Sequence, residues 1–156
     1  MPNYESLMRG VRASVEMILL DCSENGIVQI TQELAGRSCI SSLHMIFRGS
    51  EGCLKLGSAE LNAQNLDAYG WELQQWGDAL TPGAEILLHV AGLATGDIGQ
   101  NFVRGFGLLI GATVGVSQHL PDADDFTPPW NLSFTTGPIQ SRSPFKSRLR
   151  TVAAGV

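Results

Sequence analysis

Charged residues, cysteines and long apolar runs are all scarce in this sequence, and each shortage excludes a class of protein. Charged residues make up 16% of the chain, with ten bases against fifteen acids, which argues against a protein that wraps nucleic acid. Cys22, Cys39 and Cys53 are odd in number and include no C-x-x-C pair, so neither a disulfide framework nor a zinc knuckle is predicted. The longest weakly polar stretch, residues 84–96, is too short to span a bilayer.

Targeting and cofactor signals are missing as well. The only apolar run near the N-terminus, residues 17–20, is shorter than the core of a signal peptide. Unpaired cysteines are typical of a reducing compartment, so the sequence favours a cytoplasmic location without a membrane span. Because the chain contains no G-x-x-x-x-G-K-[ST] loop and no local pair of metal ligands, we expect no nucleotide or metal cofactor.

The charges are unevenly distributed along the chain. Residues 1–137 hold six bases and all fifteen acids, and their hydrophobic content suits one globular domain. Residues 138–156 contain no acid and four bases: Arg142, Lys146, Arg148 and Arg150. We therefore predict a single domain over 1–137 and a basic, flexible tail over 138–156 that can dock on an acidic surface.

Within the predicted domain, apolar runs alternate with segments of helical spacing. Strands are predicted at residues 15–20, 40–47, 85–91, 113–116 and 130–134, a hairpin at 53–61, and helices at 27–34, 66–80 and 98–109. Strands separated by single helices need crossovers, and continuous apolar strands need cover on both faces. The predicted fold is a three-layer α/β/α sandwich with a mostly parallel sheet and a small β-hairpin insertion.

Ligand sites of open α/β sheets lie beyond the carboxyl ends of the strands. Three predicted loops lie there, at residues 21–23, 47–50 and 91–93. Functional residues are therefore expected in these three loops.

Several segments resemble a cyanobacterial domain-of-unknown-function family that usually forms the N-terminal module of large surface proteins. Its members carry cadherin, Calx-beta or haemolysin-type calcium-binding repeats. The resemblance rests on residues 40–52, 54–57, 74–76, 80–87 and 95–103. It implies a caspase-like, clan CD peptidase fold, of the flavodoxin-like kind. It also implies a catalytic dyad, with histidine in a Ser-His-Gly motif after one strand and cysteine in a Tyr-Gly-Cys motif after the next.

This sequence departs from the implied dyad at both positions. Arg48 stands where the histidine would be, and Ala91 stands where the cysteine would be. Arginine, with a pKa above about 12, cannot accept a thiol proton at neutral pH, and alanine offers no nucleophile. The resemblance therefore predicts a degenerate, catalytically silent domain that acts as a protein-interaction or regulatory module.

A second departure concerns the sheet. Family members begin with an apolar strand before the helix that matches residues 4–10, and this chain starts at that helix. The gap would be filled by another segment such as the C-terminal region, or by self-association of two chains, or the recorded start is truncated.

Three other groups of residues suggest sharper functions. His44 and His89 fall on strands expected to be neighbours, with Cys39 nearby in sequence, but buried histidines bonded within the protein are more common than metal ligands. His119 is expected at the surface. Asp122, Asp124 and Asp125 lack the rest of a calcium loop, so a solvated acidic turn is predicted.

Alternatives for catalysis and binding remain at the strand ends. Cys22 is a candidate reactive thiol, although an inert cysteine is favoured, and a hydrolase using Cys22 or Thr95 as a displaced nucleophile is the alternative function. Arg48 is a candidate anion-binding residue. Its guanidinium can bind a carboxylate of a ligand, of Asp97 or of Glu51, and an internal ion pair is the favoured choice.

Overall fold

A computed structural model describes residues 16–117, 132–139 and 151–155 of the chain. These residues form nine strands and three α-helices. The strands are β1 Glu16–Leu20, β2 Ile40–Ile46, β3 Arg48–Ser50, β4 Cys53–Leu56, β5 Ala59–Asn62, β6 Leu80–His89, β7 Thr113–Ser117, β8 Leu132–Thr135 and β9 Thr151–Gly155. The helices are α1 Gly26–Leu34, α2 Gly70–Asp78 and α3 Gly96–Ile110, and a short 3₁₀ turn, Asp67–Tyr69, precedes α2.

The larger sheet has six strands in the order β1-β9-β2-β6-β7-β8. The neighbours from β1 through β7 pair in parallel, and β8 pairs with β7 in the antiparallel direction at the edge. The predicted α/β class with a mostly parallel sheet is confirmed, and the predicted strand at 130–134 is found as the edge strand β8.

The strand β9 corrects the prediction of a flexible tail for residues 151–155. It lies between β1 and β2 and pairs in parallel with both, for example Ile18 with Ala153 and Ala153 with Met45. Among the ways proposed for completing the sheet, this pairing corresponds to the one in which the C-terminal region supplies a strand. Short runs of small residues carry no strand periodicity, so local sequence did not indicate β9.

The boundary between α2 and β6 differs from the prediction. We expected a helix over 66–80 and a break at 81–83, whereas α2 ends at Asp78 and β6 begins at Leu80. The pairing of β2 with β6 is irregular here, because Ile40 pairs with Leu80 and Ser42 with Glu85. Pro82 and Gly83, with its φ of 78°, occupy this bulge, where no regular ladder is required.

The small sheet β3-β4-β5 is antiparallel and contains the predicted hairpin. The sequence analysis treated residues 47–50 as a loop, but Arg48–Ser50 forms the additional strand β3. Leu54, Leu56 and Leu61 are fully buried, whereas Lys55 and Glu60 are exposed. This alternation anchors one face of the hairpin in the core and leaves the other in water.

Side-chain hydrogen bonds cap the N-terminus of helix α1 and connect this helix to α2. The N-cap Asn25 Oδ1 accepts from the N–H groups of Ile27 and Val28 at 2.9 and 3.2 Å. Thr31 Oγ1 donates to the Ile27 carbonyl at 2.7 Å and accepts from Trp76 Nε1 at 2.8 Å. The second bond ties α1 to the buried indole of α2.

All three helices contribute to one hydrophobic core against one face of the large sheet. The sheet residues of this core alternate along the strands: Leu43, Met45 and Phe47, then Ile86, Leu88 and Val90, then Val114 and Val116. The intervening residues point to the opposite face. Every buried polar or charged residue of the described chain lies on that opposite face: Ser42, His44, Glu85, His89 and Ser117.

Four residues singled out in the sequence are not part of the described structure. His119, Asp122, Asp124 and Asp125 lie outside the described residues. In the described part of the chain, every helix is too short or too polar to traverse a bilayer.

Candidate functional site

The carboxyl ends of β2 and β6 bring the two implied dyad positions to one edge of the sheet. Ile46 pairs with His89 in register, and Arg48 and Ala91 each follow that pair by two residues. Both side chains are exposed. Arg48 and Ala91 therefore follow the carboxyl ends of the adjacent strands β2 and β6 at equivalent positions.

The turn between β3 and β4 packs against the loop that follows β6. The N–H of Gly52 donates to the Leu93 carbonyl at 2.9 Å. A carboxylate oxygen of Glu51 lies beside Gly96, where it would be 2.9 Å from a Cβ atom. Position 49 requires glycine because the backbone passes close to β4: a Cβ there would come within 2.3 Å of the Cys53 carbonyl oxygen. These contacts fix the backbone that carries Arg48.

Arg48 forms no ion pair within the part of the chain that the structure describes, so the expected bond to Asp97 or Glu51 is not found. Its register partner across the small sheet is Lys55, which is also exposed. Like charges directly opposite each other in an antiparallel pair repel. Sequence reasoning missed Lys55, although the alternation of the predicted hairpin placed it on the solvent face.

His44 and His89 meet inside the sheet, as expected for neighbouring strands. His44 Nδ1 lies 3.0 Å from His89 Nε2, and the rings stack with their centroids 5.3 Å apart. Since one ring nitrogen must donate and the other accept, the hydrogen bond fixes complementary tautomers. Cys39 does not join them, because its side chain is exposed before the amino end of β2. Among the described residues no group of three metal-ligating side chains forms.

Burial decides the protonation state of this histidine pair. Both rings are almost completely inaccessible to solvent. Loss of solvation lowers the pKa of His89 to about 3. Loss of solvation, and then the neighbouring His89, hold the pKa of His44 well below its usual value. Both imidazoles are neutral at physiological pH and lie beneath the strand ends, away from the exposed edge.

Cys22 lies in an ordered loop after β1. Asp21 Oδ1 accepts hydrogen bonds from Ser23 N and Ser23 Oγ at 2.9 and 2.6 Å, and these bonds lower the pKa of Asp21. The Gln29 side chain bonds both the N–H and the carbonyl of Asp21, at 2.7 and 2.8 Å. The thiol of Cys22 is exposed, and the described histidines are buried as a pair.

The surroundings of Cys53 and of the second proposed nucleophile, Thr95, are also defined. Burial, and then the Glu60 carboxylate, raise the pKa of the Cys53 thiol, which therefore stays protonated and weakly nucleophilic. Thr95 is exposed at the N-cap position of α3, and its side chain makes no capping bond.

Comparison with known proteins decides the family. The family model described as "Domain of unknown function (DUF4347)" matches residues 1–152. The chain belongs to the DUF4347 family. No curated protein and no solved structure matches the chain significantly.

The match to DUF4347 covers both strand-end positions and the small sheet. It also includes strands β1 to β8 and the first two residues of β9. Arg48, Lys55 and Ala91 thus belong to the DUF4347 domain itself.

Proposed function

We propose that this chain is a non-catalytic, peptidase-like binding module. In this proposal the domain is a caspase-like three-layer sandwich whose strand-end crevice binds a protein partner. The parallel order β1-β9-β2-β6-β7 supports the proposal, and α1, α2 and α3 supply the helical layer on one face of the sheet. Its support at the level of chemistry comes from the residues at the crevice.

The observation that carries the proposal is the position of Arg48 and Ala91, each two residues beyond the paired ends of β2 and β6. Cysteine peptidase chemistry needs a thiolate and a base that accepts its proton. A guanidinium is a permanent donor and a methyl group has no lone pair. The two side chains at this edge are suited to recognition and lack the groups for bond cleavage.

The alternative is a hydrolase that uses Cys22 or Thr95. Less supports it, because His44 and His89 bond each other below the surface and so are poorly placed to activate either side chain. The cysteine-peptidase form of the alternative also needs a lowered thiol pKa, which requires a nearby positive charge or helix N-terminus.

The chemistry of the crevice also indicates its ligand. Arg48 and Lys55 lie opposite each other on β3 and β4, and neither forms an ion pair among the described residues. Lys55 is also in register with Glu60 on β5, so Arg48, whose register partner is a cation, is the residue that favours a partner presenting carboxylates; a guanidinium can bind a carboxylate through two parallel hydrogen bonds. The proposed partner is therefore a protein segment rich in Asp or Glu.

A peptidase screen tests the absence of catalysis. The purified protein is incubated with a broad peptide library and, separately, with iodoacetamide at neutral pH. We expect no cleavage and alkylation of Cys22 at the slow rate of an ordinary thiol. Cleavage that follows the protein through purification and disappears in Cys22→Ala or Thr95→Ala would establish the alternative.

A binding titration tests the proposed ligand class. Fluorescein-labelled hexaglutamate is the probe and labelled hexaglutamine is the neutral control. We expect Arg48→Met/Lys55→Met to bind hexaglutamate about tenfold more weakly, because charge-assisted bonds are lost. Arg104→Met removes the same kind of charge from α3 and should bind normally. Equal affinity of the double variant and the unchanged protein would refute a role for this edge.

A further inference from the structure

A second cavity opens at the other edge of the large sheet, far along the strands from Arg48 and Ala91. It has a volume of about 460 Å³ and lies between α3 and the amino-terminal halves of β6 and β7. This volume is within the range of about 300–1,000 Å³ that is usual for small-molecule sites. The cavity shares no lining residue with the proposed protein-binding crevice.

Two of the residues that line this cavity are glycines in the left-handed backbone region. Gly83 and Gly111 line it with φ angles of 78° and 81°, a region that favours glycine. No atom lies within 4 Å of the position that a Cβ would take at either residue. The space is therefore built into the backbone of the β6 bulge and of the turn after α3.

One charged side chain lines the cavity, and it is held in place. Arg104 Nη1 donates to Asn101 Oδ1 at 3.3 Å, and the guanidinium carbon lies 5.2 Å from the centre of the Phe134 ring. Stacking on an aromatic face restricts a guanidinium while leaving its other N–H groups free to donate. None of the described residues that line the cavity is acidic, so an anion that enters would meet no competitor among them.

The rest of the lining is apolar or weakly polar. Leu108 follows Arg104 by one helical turn and is 83% exposed at the rim. Thr136 Oγ1 accepts the N–H of Val114 at 2.9 Å, which leaves its own proton for another acceptor. Thr113 supplies a second hydroxyl. The C-terminal end of α3 carries a partial negative charge of about half an electron, which the full charge of Arg104 exceeds.

We propose that this cavity binds a small organic monocarboxylate with an apolar body. The carboxylate would bond Arg104 and the Thr136 hydroxyl, and the hydrocarbon would cover Leu108 and the cavity floor. A single cation in a cavity lined by both polar and apolar groups matches one negative charge and disfavours polyanions, whose further charges would have no partner.

Hexanoate and its neutral analogue hexanamide provide the test, because they differ in charge and share the same chain. Each is titrated into the ¹⁵N-labelled full chain and followed by NMR. We expect saturable hexanoate shifts at the amides of Gly83, Gly111 and Thr113 with a Kd of about 1 mM, as suits so small a ligand. Hexanamide should bind about tenfold more weakly.

Two variants and one control assign the effect to the cavity. Arg104→Met should weaken hexanoate binding about tenfold and abolish the preference over hexanamide. Leu108→Ala should weaken both ligands about threefold through lost apolar contact. Arg37→Met, a matched loss of charge just after α1 and outside the cavity lining, should bind hexanoate normally.

Three results would each overturn the proposal. They are equal affinity for hexanoate and hexanamide, shifts that centre outside the cavity, and undiminished hexanoate binding by Arg104→Met. The first two need no variant, so they stand even if a substitution perturbs folding. The hexaglutamate titration tests Arg48 and Lys55, whereas the hexanoate titration tests Arg104. The outcome of one titration does not decide the other, so the two proposals can fail separately.

Discussion

The two faces of the large sheet differ in chemistry, although the same strands form both. The face beneath α1, α2 and α3 is apolar throughout its core cluster. The opposite face holds all five buried polar or charged residues of the described chain. The first face stabilises the domain by excluding water. On the second, stability depends on matched hydrogen bonds and on the protonation of two histidines.

The largest effect is expected on the apolar face. Phe106 is fully buried, and its ring lies 6.3 Å from that of Trp76 and 6.0 Å from that of Phe102. Phe106→Ala should lower the free energy of unfolding by about 3–5 kcal/mol, because it removes apolar contact and leaves a cavity. Urea denaturation measures the change.

Leu108→Ala is the matched control for that experiment, since Leu108 lies on the same helix and is 83% exposed. It should change the free energy of unfolding by less than about 0.5 kcal/mol. Similar losses for Phe106→Ala and Leu108→Ala would contradict the proposed packing of α3.

The next largest effect is a loss of stability at acidic pH, which arises from the histidine pair on the second face. The folded-state pKa of His89 is about 3, below the unfolded value of 6.5, so the unfolded chain takes up more protons as pH falls. The neutral pair is fully stabilising above the unfolded pKa and loses that contribution as pH falls toward the folded pKa. For His89 alone the loss between neutral pH and pH 5 is about 2 kcal/mol. The lowered pKa of His44 acts in the same direction.

The variant His44→Met/His89→Met isolates this contribution. Carboxylates titrate in both proteins, so the difference between the two stability profiles over about pH 5–7 reports the pair. We expect a flatter profile for the variant, measured by urea denaturation at each pH. Parallel profiles would mean that the pair is not buried in its neutral form.

The smallest effect is expected from the hydrogen bond between Trp76 and Thr31, which lies on the apolar face. Thr31→Val keeps the shape of the side chain but removes the acceptor of Trp76 Nε1. An unsatisfied buried indole N–H should cost about 1–2 kcal/mol. The indole fluorescence should report a changed environment as well. An unchanged denaturation midpoint would indicate that Trp76 finds another acceptor.

Local sequence patterns predicted much of the fold because they act over short distances. The strand ending at Leu20, the helix ending at Leu34 and the hairpin beginning at Cys53 all follow from apolar spacing and turn residues. The resemblance of whole segments indicated Arg48 and Ala91, which lie two residues beyond the paired Ile46 and His89. By contrast, β9 depends on pairing with strands that lie far away in the sequence. The start of β6 was not predicted either, because Pro82 normally breaks a strand and is accommodated here by a bulge.

The candidate sites were also only partly predictable from local sequence patterns. The sequence indicated Arg48, and the contact between His44 and His89 followed from strand order. The absence of an Arg48 ion pair could not be predicted, because side-chain partners depend on how the β3–β4 turn packs. The cavity beside Arg104 depends on two glycine conformations and on an aromatic ring from β8, which no local pattern connects.

The position of β9 has a consequence for how the domain is made. As the nascent chain leaves the ribosome, β1 emerges first, but the strand that joins it to β2 emerges only after β8. Until then β1 has no β9 to bond, and β2 exposes backbone on that side. Pairing over such sequence separation is slow, and open strand edges invite aggregation. We expect chaperones to hold this domain during synthesis, and a ribosome-stalled chain ending before residue 151 should be sensitive to proteases at β1.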